Sequence, residues 1–366
     1  MPLSPLAVVL AALAGWVGLA LLPALREALR HRRAAPLPVA DSYQEDLRLG
    51  PFDLAARIRD PEELGRALRN VRRHGRSALV PMDGDRHALV LASDAEVPRT
   101  PGAAAIVLTS SWREGVEEGA TFASPIVVMG EAGLPPRTRL DGLYAEGMAA
   151  LAPGATVDRW LYVAGDVLVG RGATLHGTAT AAETLALGPG TTFERASGWL
   201  VRAGRPGVPR RLPQPVRSQA TAPFEPPDDA EHAFGRVFRV GDLDLPDGTR
   251  VEADLVATGA VRVGARCVVL GSVHGRAGVT IGAGAFVQGG AFSERDVAIG
   301  AGAHVGGATV AEGHLQIGTE AEVGTPARPT TASGETVELA LGAGVHGTVW
   351  ALREGRVAEG VQRYEM

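Results

Sequence analysis

The chain has 366 residues, formal charge −5, Gly 48, Pro 25 and only 5% aromatic residues. That composition favours many tight turns over a large mixed core, and acids interspersed with bases exclude an evident nucleic-acid surface. The single Cys excludes an intrachain disulfide framework and a multi-Cys metal site, and all 36 basic residues are Arg.

Residues 1–25 carry no charge, and 6–25 (LAVVLAALAGWVGLALLPAL) is an apolar run of 20 residues. As a helix that is about 30 Å, the thickness of a bilayer core. No basic residue precedes the run, whereas Arg26, Arg30, Arg32 and Arg33 follow it. This order predicts an uncleaved transmembrane anchor over 1–33, with Trp16 within it and the C-terminal bulk in the cytoplasm.

Residues 34–60 form a polar linker, and 61–105 a small α/β cap. Its helix starts at Asp60-Pro61-Glu62-Glu63, combining a side-chain cap, Pro in the first turn and acids at the N-terminus. Leu64, Leu68 and Val71 share a face, and Gly75 suits the stop.

Beyond the cap the chain repeats. Val261, Val279, Val297 and Leu315 are 18 apart, as are Val263, Ile281, Ile299 and Ile317. A third column runs Val251, Val269, Val287, Val305 and Val323. Phe122, Leu140, Val157, Leu175 and Phe193 carry the same period more loosely, so two arrays are expected, 106–202 and 233–350. Apolar residues alternate within each unit and Gly marks the corners, which is the pattern of a strand with one buried face. Strands this short bury nothing alone, so the coils must stack. The expected fold is all-β: a parallel β-helix, or β-solenoid, of about 18 residues per coil, with the transmembrane helix and cap at its N-terminus. Val263, Val269, Ile281, Val287, Ile299, Val305, Ile317 and Val323 are its expected core. One wall is thin, with Gly275, Ser293 and Ala311 at its inward position.

The Pro-rich stretch 203–232 has no periodicity and is expected to be a linker or excursion. A loop over 325–335 interrupts the last coils, and 351–366 is expected to be a C-terminal tail or cap.

No catalytic motif accompanies the repeat, and no metal or cofactor is expected. Cys267 shares a column with Ala285, Ala303 and Ala321, so it is expected to pack as a small core residue. His176, His274, His304 and His314 fall at four different phases and do not stack. His304 alone has a carboxylate in reach, Glu322, one coil away in the same outward column. An oriented imidazole can act as a base, but a solvated polar pair on an exposed strand is the expectation.

The units VLVGRGATLHGTATA (167–181), VTIGAGAFVQGGA (279–291) and VAIGAGAHVGGAT (297–309), with the Gly-Asp entries at 165–166 and 241–242, resemble the bactofilins, polymer-forming cytoskeletal proteins. The resemblance implies a non-enzymatic scaffold that self-associates through solenoid ends, at the cytoplasmic face of a bacterial inner membrane. Two alternatives share the architecture: a membrane-anchored hexapeptide-repeat acyltransferase, and an exported envelope solenoid or adhesin.

Overall fold

A computed structural model describes residues 60–84, 86–92, 103–109, 111–112, 116–204, 222–233 and 235–359. The expected anchor, with Trp16, Arg26, Arg30, Arg32 and Arg33, lies outside them, as does most of the 34–60 linker. Among the described residues no helix is long and apolar enough to cross a membrane.

Helix α1 (Pro61–His74) begins where Asp60 accepts a hydrogen bond from the Glu62 amide and ends at Gly75, whose φ of 65° is left-handed. Its Val71 side chain, with Leu64 and Leu68, packs on strands β1 (Ala78–Pro81) and β2 (His87–Leu91), which form an antiparallel pair. From β2 the sheet continues without a break into the solenoid: β2 pairs in parallel with β3 (Ala105–Leu108), and β3 with Ile126–Val128. The α/β unit is therefore built directly onto the first array's opening coils.

The remainder is a β-solenoid of about 13 turns, roughly 60 Å long at ~4.8 Å per turn. The 18-residue columns are the inter-coil register itself: Val263 pairs with Ile281, Ile281 with Ile299 and Ile299 with Ile317. Likewise Val269 meets Val287, which meets Val305, which meets Val323. All eight expected core residues are at most 2% exposed. They belong to one apolar cluster that runs from Leu91 to Val357 and joins both arrays. Cys267 is buried, and its Sγ donates to the Pro246 carbonyl at 3.0 Å. The thin wall is also observed, with Gly275, Ser293 and Ala311 turned inward.

The two arrays do not follow one another in a single direction. The closing strand of the first array (Thr192–Ala203) pairs antiparallel with the closing strand of the second (Gly344–Val357). Val201 lies opposite Val345, Ala196 opposite Val349 and Phe193 opposite Gly355. The arrays thus meet tail to tail, with their opening coils at opposite ends. Two of the three faces exchange roles across this joint. The Val323 column passes through Val345 to Val201, Leu185 and Val167, while the Ile317 face continues through Leu339 and Val357. A pseudo-two-fold passing through the third face, near Ala196 and Val349, produces this exchange.

The joint corrects three boundaries. Residues 351–357 are not a tail, because they continue the Gly344–Val357 strand, with Ala351 and Val357 buried. Most of the expected loop 325–335 is strand, Thr330–Leu339, paired with Gly344–Val357. Both strands exceed the usual three or four residues because they run on across a corner, where the register shifts after Gly334, and Val323–Val345 and Ile317–Leu339 pair at 22 residues, which hid them from the 18-residue period. Finally, the end of the 203–232 stretch belongs to the second array. Ala222–Pro223 pairs with the Thr249–Val251 strand, and Glu231–Ala233 forms a hairpin with Arg236–Arg239. Residues 205–221 lie outside the described residues.

Candidate functional site

The expected pair, His304 and Glu322, is adjacent as its register requires, since the two residues face each other on neighbouring coils. The expectation of an exposed, solvated pair is wrong: His304 is 3% exposed and Glu322 7%. The column runs into the joint. Arg202, from the closing strand of the first array, reaches Glu322 with Nη2 to Oε1 at 3.4 Å, and both side chains are about nine-tenths buried. His304 stacks on Phe286, with ring centroids 5.4 Å apart.

Three further joint contacts come from residues whose roles the repeat pattern did not suggest. His346 donates from Nδ1 to the Trp199 carbonyl at 3.3 Å, and the two rings meet edge to face. Ser197 and Thr348 hydroxyls lie 3.0 Å apart on the outer surface of the third face. Beside them the Arg195 guanidinium sits 4.6 Å from the Trp350 ring centroid, a cation–π contact. Close packing at the joint also selects for Gly355, where a Cβ would fall 2.3 Å from the Phe193 ring.

Electrostatically the joint disfavours added positive charge. Burial lowers the His304 pKa from its ordinary 6.5, and the neighbouring His346 lowers it further. Burial also lowers His346; its bond to the Trp199 carbonyl opposes this and Arg202 reinforces it. Two buried nitrogens, His304 Nδ1 and Arg202 Nε, have no hydrogen-bond partner. Each is a local cost of burial.

A buried imidazole with no open approach is poorly placed to take a proton from a substrate. Elsewhere, His176 faces Glu194 at 3.6 Å on the surface, His274 stacks on Phe292 and His314 bonds the Thr336 hydroxyl. Among the described residues no three His, Cys, Asp or Glu side chains are grouped to hold a metal ion. A shallow groove of about 820 Å³ runs along the first array, lined by Leu134, Met148, Ala150, Leu168 and Ala186 among others. Among the described residues its lining includes the ionisable side chains Glu131 and Arg171.

The fold and joint define the class: this is a β-solenoid repeat protein with two arrays fused tail to tail. No family profile, curated protein or solved structure matches the chain.

Proposed function

We propose that the chain is a membrane-tethered, non-enzymatic scaffold of bactofilin type that self-associates through its β-solenoid and organises partners at the cytoplasmic face of a bacterial membrane. The observation that carries this reading is the tail-to-tail joint, in which the closing coils pair strand to strand over most of their length. Surfaces that pair in this way within a chain have the geometry to pair between chains. The uncharged run at 1–25 and the Arg residues after it supply the tether and its orientation. Burial of His304 and Glu322 weighs against an acyl-transfer base at that position.

The test uses the full-length protein. It should sediment with membranes, resist extraction by high salt, and place a reporter fused after Met366 in the cytoplasm. Two differently tagged copies expressed together in one membrane should co-purify, giving more than one chain per particle. Monomers alone would sink the scaffold reading, and alkaline phosphatase activity from the fusion would reverse the orientation.

A further inference from the structure

The joint differs in chemistry from the coils on either side of it. Inward, the inter-coil contacts within the arrays are columns of Val, Ile, Leu and Ala, and the ion pairs between their coils, such as Arg262–Asp244 and Arg276–Glu294, are exposed, whereas Arg202–Glu322 is buried. Across the joint, the apolar contacts are accompanied by Arg202–Glu322, Ser197–Thr348, Arg195–Trp350 and His346–Trp199. Enrichment in Arg, Trp and His around a small apolar centre marks an interface between separately formed bodies. The buried Arg202 Nε, which has no hydrogen-bond partner, is a local cost at this seam.

The connection between the arrays permits a choice of partner. From Gly204, where the first array ends, the chain returns to Ala222 beneath the opening coil of the second. Seven strand pairings separate Ala222–Pro223 from Thr192–Ala203, about 34 Å at ~4.8 Å each. The 18 intervals from Gly204 to Ala222 reach about 60 Å when extended. After covering the axial distance, the connection retains a sideways reach of about 50 Å. One face of a coil, about six residues, is ~20 Å wide. The connection is therefore long enough to place the second array of a chain on a neighbouring solenoid lying alongside.

We propose that the joint is exchanged between two copies of this chain, so that Thr192–Ala203 of each pairs with Gly344–Val357 of the other in a reciprocal dimer. Both joints remain formed and no new contact is needed, so exchange costs little beyond bringing two chains together. Within one chain, the connection gives the second array an effective concentration in the millimolar range, which favours closure in dilute solution. Confinement of chains to a surface favours exchange. The inference rests on the self-association reading and names the surface responsible.

Cysteine pairing across Ser197 and Thr348 tests it in the full-length protein. In a Cys267→Ala background, which matches the Ala residues of that column, one copy carries Ser197→Cys. A second, enlarged by a fusion after Met366, carries Thr348→Cys. After co-expression and mild oxidation of membranes, exchange yields a disulfide product at the summed mass of the two copies. A chain carrying both substitutions reports the joint itself, closed within one chain or between two. If the double variant cross-links only within single chains and the mixed copies give no product, exchange is overturned. Absence of any cross-link in the double variant overturns it too, because the joint would not exist as described. Co-purification of the two copies from the same membranes separates the two readings. Oligomers without mixed cross-links remove only the exchange, whereas monomers remove self-association as well.

Discussion

At the scale of single residues, burial decides what the polar side chains contribute. His304 is faced by Phe286, Glu322 and His346, and His346 by Trp199 and Arg202. Both imidazoles have folded pKa values below the unfolded 6.5, so the unfolded chain binds more protons in the window between the two values. Stability is therefore full above about pH 6.5 and declines as pH falls through that window. Urea midpoints measured between pH 8 and pH 5 should fall at the acid end, and His304→Phe should flatten the fall. A midpoint independent of pH in that range would mean that the imidazoles are not buried at the joint. Arg202→Met removes the buried partner of Glu322 and should cost ~3 kcal/mol, the usual result of breaking one side of a buried pair. Thr309 points the other way. It is fully buried between Ala291 and Ala332, and its hydroxyl has no partner. Thr309→Val keeps the shape and removes the desolvated oxygen, so it should raise stability by ~1 kcal/mol, read as a higher urea midpoint.

At the scale of elements, each inward residue is sandwiched by its column. Ile299→Asp places a carboxylate between Ile281 and Ile317 and should cost several kcal/mol, whereas Gln288→Asp on the exposed side should cost little. Equal losses of soluble protein from the two would contradict the inward and outward assignment. The closing strand offers a sharper comparison. Truncation after Glu359 spares every described strand, while truncation after Trp350 removes Gly355, Arg356 and Val357 from between Phe193 and the Thr336–Leu339 rungs. The first should leave cooperative thermal melting unchanged, and the second should lower the melting temperature by many degrees.

These elements also show what the sequence discloses. Where Val, Ile and Gly recur every 18 residues, periodicity alone identifies the strand, its face and its neighbour in the next coil, because stacking in register repeats the same environment. Asp60, Pro61 and Gly75 likewise reveal the helix ends, since local backbone chemistry sets them. The joint was not legible. Its strands, Thr192–Ala203, Thr330–Leu339 and Gly344–Val357, follow antiparallel and corner-crossing geometry, which the 18-residue period does not encode. Loss of the period after residue 325, with Trp350, His346 and Arg202 near the ends of the arrays, was the available signal. His304 and Glu322 were correctly placed in one column but assigned to solvent, because nothing local to them announces Arg202, more than 100 residues earlier in the chain.

At the scale of the molecule, the joint occupies both closing coils, and the opening coils differ from each other. One carries α1, β1 and β2; the other is underlain by Ala222–Pro223 and the short polar hairpin Glu231–Ala233. Short, charged edges of this kind discourage indefinite strand addition. Association is therefore expected to stop at small oligomers, and electron microscopy should show short particles in place of long filaments. Deleting ten residues from 205–221 leaves eight intervals, a reach of about 26–29 Å, less than the ~34 Å required. Such a chain can reach the joint neither within itself nor on a neighbour lying level with it, so the Ser197–Thr348 disulfide of the double cysteine variant should be lost. A disulfide retained at full yield would show that the arrays do not need the tail-to-tail path.

The reversal of direction at the joint also has a consequence for synthesis. The first array is complete once Ala203 has left the ribosome, but its closing strand finds its partner only when Gly344–Val357 emerges, about 140 residues later. At 5–20 residues per second that interval is about 7–30 s. Throughout it the nascent molecule displays an unpaired β edge beside other chains emerging from the same messenger, so the speed of translation and the spacing of ribosomes act on whether a chain completes itself or its neighbour.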